Sequence, residues 1–410
     1  MRRMGTVGRS VSVGLCAAAL AVAVTAPAGA EAVGPVAVGA AGTGADTASG
    51  ERTAPDRASG GRASGERASG ERAFGDPASG ERTPGPEWRL QPTGSDARFR
   101  GLAAVSRESA WVAGSKGKVL RTRDGGRNWQ DVSPPGAAGL EFRDVEAFDA
   151  RRAVVLAIGE GEASRVFRTG DGGATWTESF RNDDPKAFYD CMTFFDARHG
   201  LAVSDPVDGK YRMLSTGDGG RSWRVLPADG MPAAQPGEAS FAASGQCLVA
   251  SGSRDVWLAT GGAAKARVFH SADRGRSWQV TDAPIPAGDP ARGVFGLAFR
   301  DARHGLAVGG DYRAGEASPG AAAVSGDGGA TWTSARRSPS EYRSGVSWLP
   351  HSRSAALAVG PTGSELTLDA GRTWRAFDTG SYDTVDCTPD LGCWAAGEKG
   401  RVARLGLRLP

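Results

Sequence analysis

Arginine, tyrosine and carboxylate side chains recur in this 410-residue sequence where short apolar segments begin or end. Arginine pairs with carboxylates, and tyrosine combines an apolar ring with a hydroxyl, so these groups suit a polar ligand, a sugar or a peptide segment. Alternatively, they are solvated or pair with one another. The candidate ligand-binding residues are Arg143, Asp144, Tyr189, Asp190, Asp205, Glu238, Arg292, Asp311, Tyr342, Arg343, Tyr382 and Asp383. Asp208, Tyr312 and Glu398 occur in the same loops.

Two kinds of catalysis would suit the same residue types. A pair of carboxyl groups hydrolyses glycosidic bonds when their separation is suitable, and this needs no local motif. A tyrosine activated by a glutamate can act as a nucleophile. No motif supports redox or metal chemistry, because Gly159-Glu160-Gly161 lacks the third glycine of a dinucleotide loop and the four histidines do not cluster. We therefore expect neither a cofactor nor a metal ion.

A repeated eight-residue motif indicates the fold that would hold these candidates in place. The pattern Ser/Thr-x-Asp-x-Gly-x-Ser/Thr/Asn-Trp occurs six times, first at Thr122–Trp129 and last at Thr367–Trp374. We predict a tight turn in which the carboxylate accepts backbone N–H groups and the glycine supplies a positive φ. A role repeated six times favours folding over catalysis. The motif aspartates are Asp124, Asp171, Asp218, Asp273, Asp327 and Asp369.

The spacing of these motifs predicts the fold. They recur every 42 to 55 residues, the period of a propeller blade, and each interval contains two further apolar strands. The last unit, ending near Leu405, lacks a fourth strand, and Trp88–Gln91 stands alone at the start. We therefore predict an all-β, seven-bladed β-propeller of four-stranded antiparallel blades. The N-terminal strand would complete the last blade and close the ring.

The motifs resemble the Asp-box (BNR) repeats of sialidase-like propellers. The run from 88 to 407 resembles the photosystem II stability and assembly factor family and its non-photosynthetic bacterial relatives. This resemblance implies a non-enzymatic binding or assembly scaffold. The alternative that it implies is a sialidase-like or other glycoside hydrolase using the same face of the ring.

A sialidase-like site would need three arginines, a tyrosine with a glutamate, and an aspartate on one face. The available residues are Arg143, Arg292, Arg343, Tyr342 or Tyr382, Glu238 and Asp190. The Arg-Ile-Pro motif that accompanies sialidase domains is absent, and those domains usually have six blades. The resemblance therefore favours the scaffold, with a protein or glycan ligand that stays unidentified.

Strand direction predicts where the candidates meet. Strands alternate in direction along a blade, so the Asp-box turns share a face with the turns between first and second strands. First-strand starts and the loops between second and third strands lie on the opposite face. Because the candidates occur at those positions, we predict a binding surface at the channel mouth opposite the Asp boxes.

The cysteines suggest export. Cys16 would leave with a signal peptide, and the other four form an even set. Cys387 and Cys393 could staple a hairpin, and Cys191 and Cys247 occupy similar positions in neighbouring blades. Buried free thiols are the alternative for the second pair. No CxxC motif supports metal ligation.

The first 86 residues differ in composition from the rest. Residues 1–30 have a basic start, an apolar run and an Ala-Gly-Ala end, which predicts a secretory signal peptide; an uncleaved anchor is the alternative. Residues 31–86 repeat Ala-Ser-Gly-Glu-Arg, which predicts a disordered linker, either a cell-wall spacer or an expanded repeat without a role. The 87–410 domain would be a secreted or wall-associated monomer. The formal charge of +3 falls near zero without Arg2, Arg3 and Arg9, so we expect no nucleic acid partner and no membrane span after cleavage.

Overall fold

The computed structural model describes residues 85–313 and 318–408. The predicted signal peptide and nearly all of the predicted linker lie outside them. Within the described residues, 28 strands form seven four-stranded sheets in which all neighbours are antiparallel. Helical structure there consists of two short 3-10 turns, Ser115–Gly117 and Gly161–Ala163. The predicted all-β, seven-bladed propeller is confirmed.

The chain enters the ring through β1 (Gly85–Leu90). Blade 1 contains β2 (Phe99–Ala104), β3 (Ala110–Gly114), β4 (Val119–Thr122) and β5 (Gln130–Asp131). Blade 2 contains β6 (Glu141–Ala147), β7 (Ala153–Ile158), β8 (Arg165–Thr169) and β9 (Thr177–Arg181). Blade 3 contains β10 (Tyr189–Phe194), β11 (Gly200–Val207), β12 (Lys210–Thr216) and β13 (Arg224–Val225).

Four more blades follow in the same order. Blade 4 contains β14 (Leu248–Ser251), β15 (Asp255–Ala259), β16 (Ala266–Ser271) and β17 (Gln279–Ala283). Blade 5 contains β18 (Arg292–Phe299), β19 (Gly305–Asp311), β20 (Ala322–Ser325) and β21 (Thr333–Ser334). Blade 6 contains β22 (Gly345–Trp348), β23 (Ala356–Gly360), β24 (Gly363–Thr367) and β25 (Arg375–Asp378). Blade 7 contains β26 (Thr384–Cys387), β27 (Cys393–Ala396) and β28 (Val402–Arg408), with β1 as its fourth strand.

The ring closes through β1, as predicted. This strand pairs antiparallel with β28, and Trp88 lies opposite Leu405. The Trp88 ring packs at 5.6 Å from Tyr382, and its Nε1 donates to Ser364 Oγ of blade 6 at 2.9 Å. First strands contact their neighbours all the way around, including β26 against β2. The seven described blades therefore form a closed ring.

Buried tryptophans in the second strands tie blades together. Trp111, Trp257 and Trp394 are fully buried. Each indole N–H donates to a turn carbonyl of the next blade, as from Trp257 to Gly328 at 2.7 Å and from Trp394 to Ser106 at 3.0 Å. A buried aromatic ring with a satisfied N–H stabilises an interface without a polar penalty. These three tryptophans therefore belong to the core between blades.

The Asp-box turns hold the third and fourth strands. In the first turn, Asp124 Oδ1 accepts the backbone N–H of Asn128 at 2.9 Å, and Thr122 Oγ1 accepts that of Gly126 at 3.0 Å. Gly126 has φ +85°, a left-handed conformation that favours glycine. The other five turns repeat both hydrogen bonds. The pKa of Asp124 is lowered to about 2, chiefly by the hydrogen bond that it accepts from the side chain of Asn128.

Both predicted cysteine pairs are disulfides in the structure. Cys387–Cys393 closes the β26–β27 hairpin, and Cys191–Cys247 joins blade 3 to the residue before β14 of blade 4. Among the described residues, no helix has the length and apolar character to cross a membrane.

Candidate binding site at the channel mouth

A cavity of about 600 Å³ lies at the mouth of the channel. Its walls come from residues at or just before the first strands and from the loops that follow the second strands, on the face opposite the Asp boxes. This is the position predicted for the binding surface. Of the twelve candidate residues, the cavity is lined by Arg143, Asp190, Asp205, Tyr342 and Asp383. Tyr312, from the same loops, lines it too.

β-bulges aim four side chains into this cavity. The registers of β2–β3, β6–β7, β10–β11 and β18–β19 each shift by one residue near the start of the first strand. The extra residue at each shift lines the cavity; these residues are Arg100, Arg143, Asp190 and Phe295. A bulge leaves one residue outside the ladder and re-aims its side chain. Sequence reasoning missed Arg100 and Phe295, although both occupy the same register position as Arg143 and Asp190.

Arginines form one side of the cavity. Arg98, also missed, donates to both oxygens of Asp383, from Nε at 2.7 Å and from Nη2 at 2.6 Å. The Nε of Arg100 lies 3.8 Å from Asp383 Oδ1, beyond hydrogen-bond distance, and is buried without a hydrogen-bond partner among the described residues. Burial, with the nearby charge of Arg143, lowers the Arg100 pKa to about 10. The Arg100 charge is therefore only partly balanced within the protein.

Two aspartates form a second part of the wall. Asp190 is 2% exposed, and Asp205 Oδ1 accepts the Ser240 backbone N–H at 2.8 Å. Each carboxyl affects the pKa of the other, so the two groups lie close together. Burial raises the Asp205 pKa to about 6 and the Asp190 pKa well above its usual value. The pair therefore retains a proton in a pH range where isolated aspartates have lost it.

Aromatic rings form a third part of the wall. Phe241 and Phe295 stack with ring centroids 4.0 Å apart, and Tyr342 meets Phe295 edge to face at 4.8 Å. Phe188, just before β10, also lines the cavity. A ligand would thus meet an apolar surface beside charged groups, the usual composition of a specific pocket.

Residues 240–247, here called the crossing segment, lie across the channel. From blade 4 they reach the far side of the ring, where Gln246 Nε2 donates to Val385 O and Gln246 Oε1 accepts from Val346 N, both at 2.8 Å. Ser244 Oγ donates to Ser344 O at 2.7 Å. The segment ends at Cys247, which the disulfide fixes to β10. Since Ser240 to Ala243 line the cavity, this segment forms its floor.

Arg143 connects the arginine side to this floor. Its Nη1 donates to Ala242 O of the crossing segment at 2.7 Å, and its Nε donates to Glu141 Oε1 at 2.9 Å. The guanidinium is thus fixed by two elements of the ring. Among the candidate arginines, Arg143 is the one that lines the cavity.

Seven candidates lie outside the cavity, each held by other parts of the protein. Glu238 is buried against Arg267, and its Oε1 accepts from Thr260 Oγ1 at 2.6 Å. Arg343 is 2% exposed and donates to Glu365 Oε1 at 3.1 Å.

The remaining five candidates also contact other parts of the protein and do not line the cavity. Arg292 pairs with Asp311 at 3.0 Å on the rim. Tyr189 packs against Phe180, and Tyr382 against Trp88. Asp144 accepts the Met192 N–H at 2.6 Å, and burial raises its pKa to about 8. The sialidase-like set is therefore not brought together, because only Arg143, Asp190 and Tyr342 of it line the cavity.

Comparisons with known proteins give the fold and no family. No protein-family model matches the chain, and no curated protein matches it. Among solved structures, YCF48 bound to D1 peptide is similar, with a TM-score of 0.56 and 14% identity over 77% of this chain and 96% of that one. YCF48 from Cyanidioschyzon merolae gives the same score and identity over 77% and 98%. At such low identity, the structural similarity shows a shared propeller fold and nothing further.

Glycoside hydrolase propellers are similar as well. The GH74 xyloglucanase from Xanthomonas campestris has a TM-score of 0.52 and 17% identity over 78% of this chain. The present chain spans 53% of its length, about half. A protein bound to a peptide and a xyloglucanase thus share this architecture, so the fold alone does not decide the function of this chain.

Proposed function

We propose that this chain is an exported, non-enzymatic scaffold that binds a carboxylate-bearing polypeptide segment in its channel mouth. The observation that carries the proposal is Arg100, whose buried Nε has no acceptor among the described residues while Arg143 stands beside it. A ligand carboxylate would supply the missing acceptor and balance the charge. The similar YCF48 structure bound to a D1 peptide supports a polypeptide ligand.

Two further features support this role. The crossing segment blocks the channel, so the mouth is a blind cavity with a fixed floor. A preformed floor and walls lower the entropic cost of binding a flexible segment. Export is supported by the two disulfides, since such bonds persist in oxidising compartments.

Selection from a random-peptide phage library tests the proposal. The intact domain should enrich peptides containing Asp, Glu or a free C-terminal carboxylate. Arg100→Gln should lose this enrichment, because the substitution removes the unbalanced guanidinium. Arg127→Gln, an exposed arginine in an Asp-box turn, is the matched control and should keep it. Failure to enrich any peptide, or equal enrichment by Arg100→Gln, would overturn the proposal.

A glycoside hydrolase is the second candidate. The raised pKa values of Asp190 and Asp205 and the likeness to GH74 propellers favour it. Against it, Asp190 and Asp205 lie close enough to shift each other's pKa, whereas glycosidase carboxyls stand roughly 5 Å or more apart to flank the scissile bond. Turnover on a panel of glycosides including xyloglucan, lost in Asp190→Asn, would replace the scaffold proposal.

A further inference from the structure

The cavity contains a second buried atom whose hydrogen bonding the protein leaves unmet. Asp190 Oδ2 has no donor among the described residues, just as Arg100 Nε has no acceptor. The two side chains do not satisfy each other, because Arg100 lies near Asp383 and Asp190 near Asp205. A buried polar atom without a hydrogen-bond partner costs free energy. A ligand that offers an acceptor to Arg100 Nε and a donor to Asp190 Oδ2 would therefore gain binding free energy at both atoms.

We propose that the segment bound in the mouth also carries a basic side chain, whose ammonium or guanidinium group binds between Asp190 and Asp205. This inference rests on the proposed function, because it assigns a second subsite to the same cavity. The ligand class is therefore a polypeptide segment with an acidic group and a basic group close together.

Proton sharing gives this subsite its chemistry. Without a ligand, the two carboxyls together hold one proton, and the pair carries a single negative charge. A ligand cation that donates to the unpaired Asp190 Oδ2 favours loss of that proton from the pair. The proton passes to solvent, and the ligand cation then faces two carboxylates. Binding of the basic group thus releases one proton, and no bond other than that O–H is broken.

The charged neighbours explain why one group alone would bind weakly. Arg143 of blade 2 acts on Asp190 and opposes an incoming cation, although Glu141 balances part of its charge. Tyr211 lies near both aspartates and near Glu238, and Glu238 is paired with Arg267. A segment that brings its own carboxylate to the arginine side offsets this repulsion. The two subsites therefore favour a ligand that carries both charges.

The walls beside the pair suit a basic side chain. Phe188 O accepts the Asp205 N–H at 3.0 Å, and Phe241 follows Ser240, whose N–H binds Asp205. Both aromatic residues line the cavity next to the carboxyl pair. Aromatic faces accept the alkyl stem of lysine or the plane of a guanidinium.

Sequencing of peptides enriched by the unmodified domain and by two variants tests this inference. The probe is a random hexapeptide phage library at pH 7.5. The unmodified domain should enrich peptides that combine Asp or Glu with Lys or Arg. Asp190→Asn should keep the acidic preference and lose the basic one. Asp208→Asn, an exposed loop residue of the same blade, is the control and should behave like the unmodified domain.

A synthetic copy of an enriched peptide gives the second readout. Its affinity for the unmodified domain should rise about tenfold or more between pH 5 and pH 7.5, as the carboxyl pair gives up its proton. Asp205→Asn should flatten that profile, and replacing the basic residue by norleucine should do the same. Enrichment for acidic residues alone, or an unchanged pH profile in Asp205→Asn, overturns the inference while the proposed function stands. Failure to enrich any peptide overturns both.

Discussion

The two faces of this propeller use carboxylates in opposite ways. On the Asp-box face, Asp124 and its five counterparts are exposed to solvent in part, accept hydrogen bonds from their own turns and have lowered pKa values. At the mouth, Asp190 and Asp205 are buried and have raised pKa values, and Asp190 Oδ2 has no hydrogen-bond donor among the described residues. Satisfied carboxylates stabilise a fold, whereas unsatisfied ones mark a place for a ligand. The contrast supports the proposed binding site at the mouth.

The largest expected effect is the difference between the two disulfides in their contribution to the free energy of unfolding. Cys191–Cys247 closes a loop with a sequence separation of 56 and fixes the crossing segment, whereas Cys387–Cys393 closes a hairpin with a separation of 6. Loop entropy predicts that Cys191→Ala with Cys247→Ala lowers the free energy of unfolding by about 4 kcal/mol, and the other double variant by about 2 kcal/mol. Urea denaturation measures both. Equal losses would mean that the crossing segment is held without its disulfide.

Removal of an Asp-box carboxylate should cost less. Asp369 accepts the Thr373 N–H at 2.8 Å and the Thr373 hydroxyl at 2.8 Å. We expect Asp369→Ala to lower the free energy of unfolding by about 2 kcal/mol, because the turn donors lose their acceptor. Asp190→Asn, at the mouth, should leave it unchanged or raise it. The contrast between the faces fails if the mouth variant is the more damaging one.

The pH dependence of stability should run in opposite directions on the two faces. The Asp205 pKa is raised to about 6, so this group favours folding below its unfolded value of 3.8 and loses that contribution as pH rises to about 6. The Asp218 pKa is lowered to about 2, so its contribution is present above 3.8 and is lost as pH falls to about 2. Asp205→Asn should therefore remove about 2 kcal/mol of the decline in the free energy of unfolding between pH 4 and 6. Asp218→Asn should flatten only the acid limb.

Much of the ring could be predicted from sequence, because each Asp box marks one turn of one blade. The isolated Trp88 matched the strand that the last blade lacked, and the pairing of β1 with β28 confirms it. The direction of individual side chains was harder to predict from the sequence. Arg100 and Phe295 reach the cavity only because a bulge re-aims them, and strand starts alone do not reveal a bulge.

The crossing segment was missed for a different reason. It has no counterpart in the other blades, so the repeat offers no template for it. The 55-residue interval from Asp218 to Asp273 signalled extra chain there. It could not show that Gln246 reaches the far side of the channel or that Glu238 folds beneath the mouth onto Arg267. Such contacts depend on distant residues rather than on local pattern.

The central claim is that the mouth binds a charged polypeptide segment through Arg100. Isothermal titration of an enriched peptide into the unmodified domain and Arg100→Gln, with urea denaturation of both, tests it most directly. We predict an affinity at least about tenfold weaker for Arg100→Gln with an unchanged free energy of unfolding, because a charged hydrogen bond is lost only in the complex. Equal affinities in two equally stable proteins would contradict the claim.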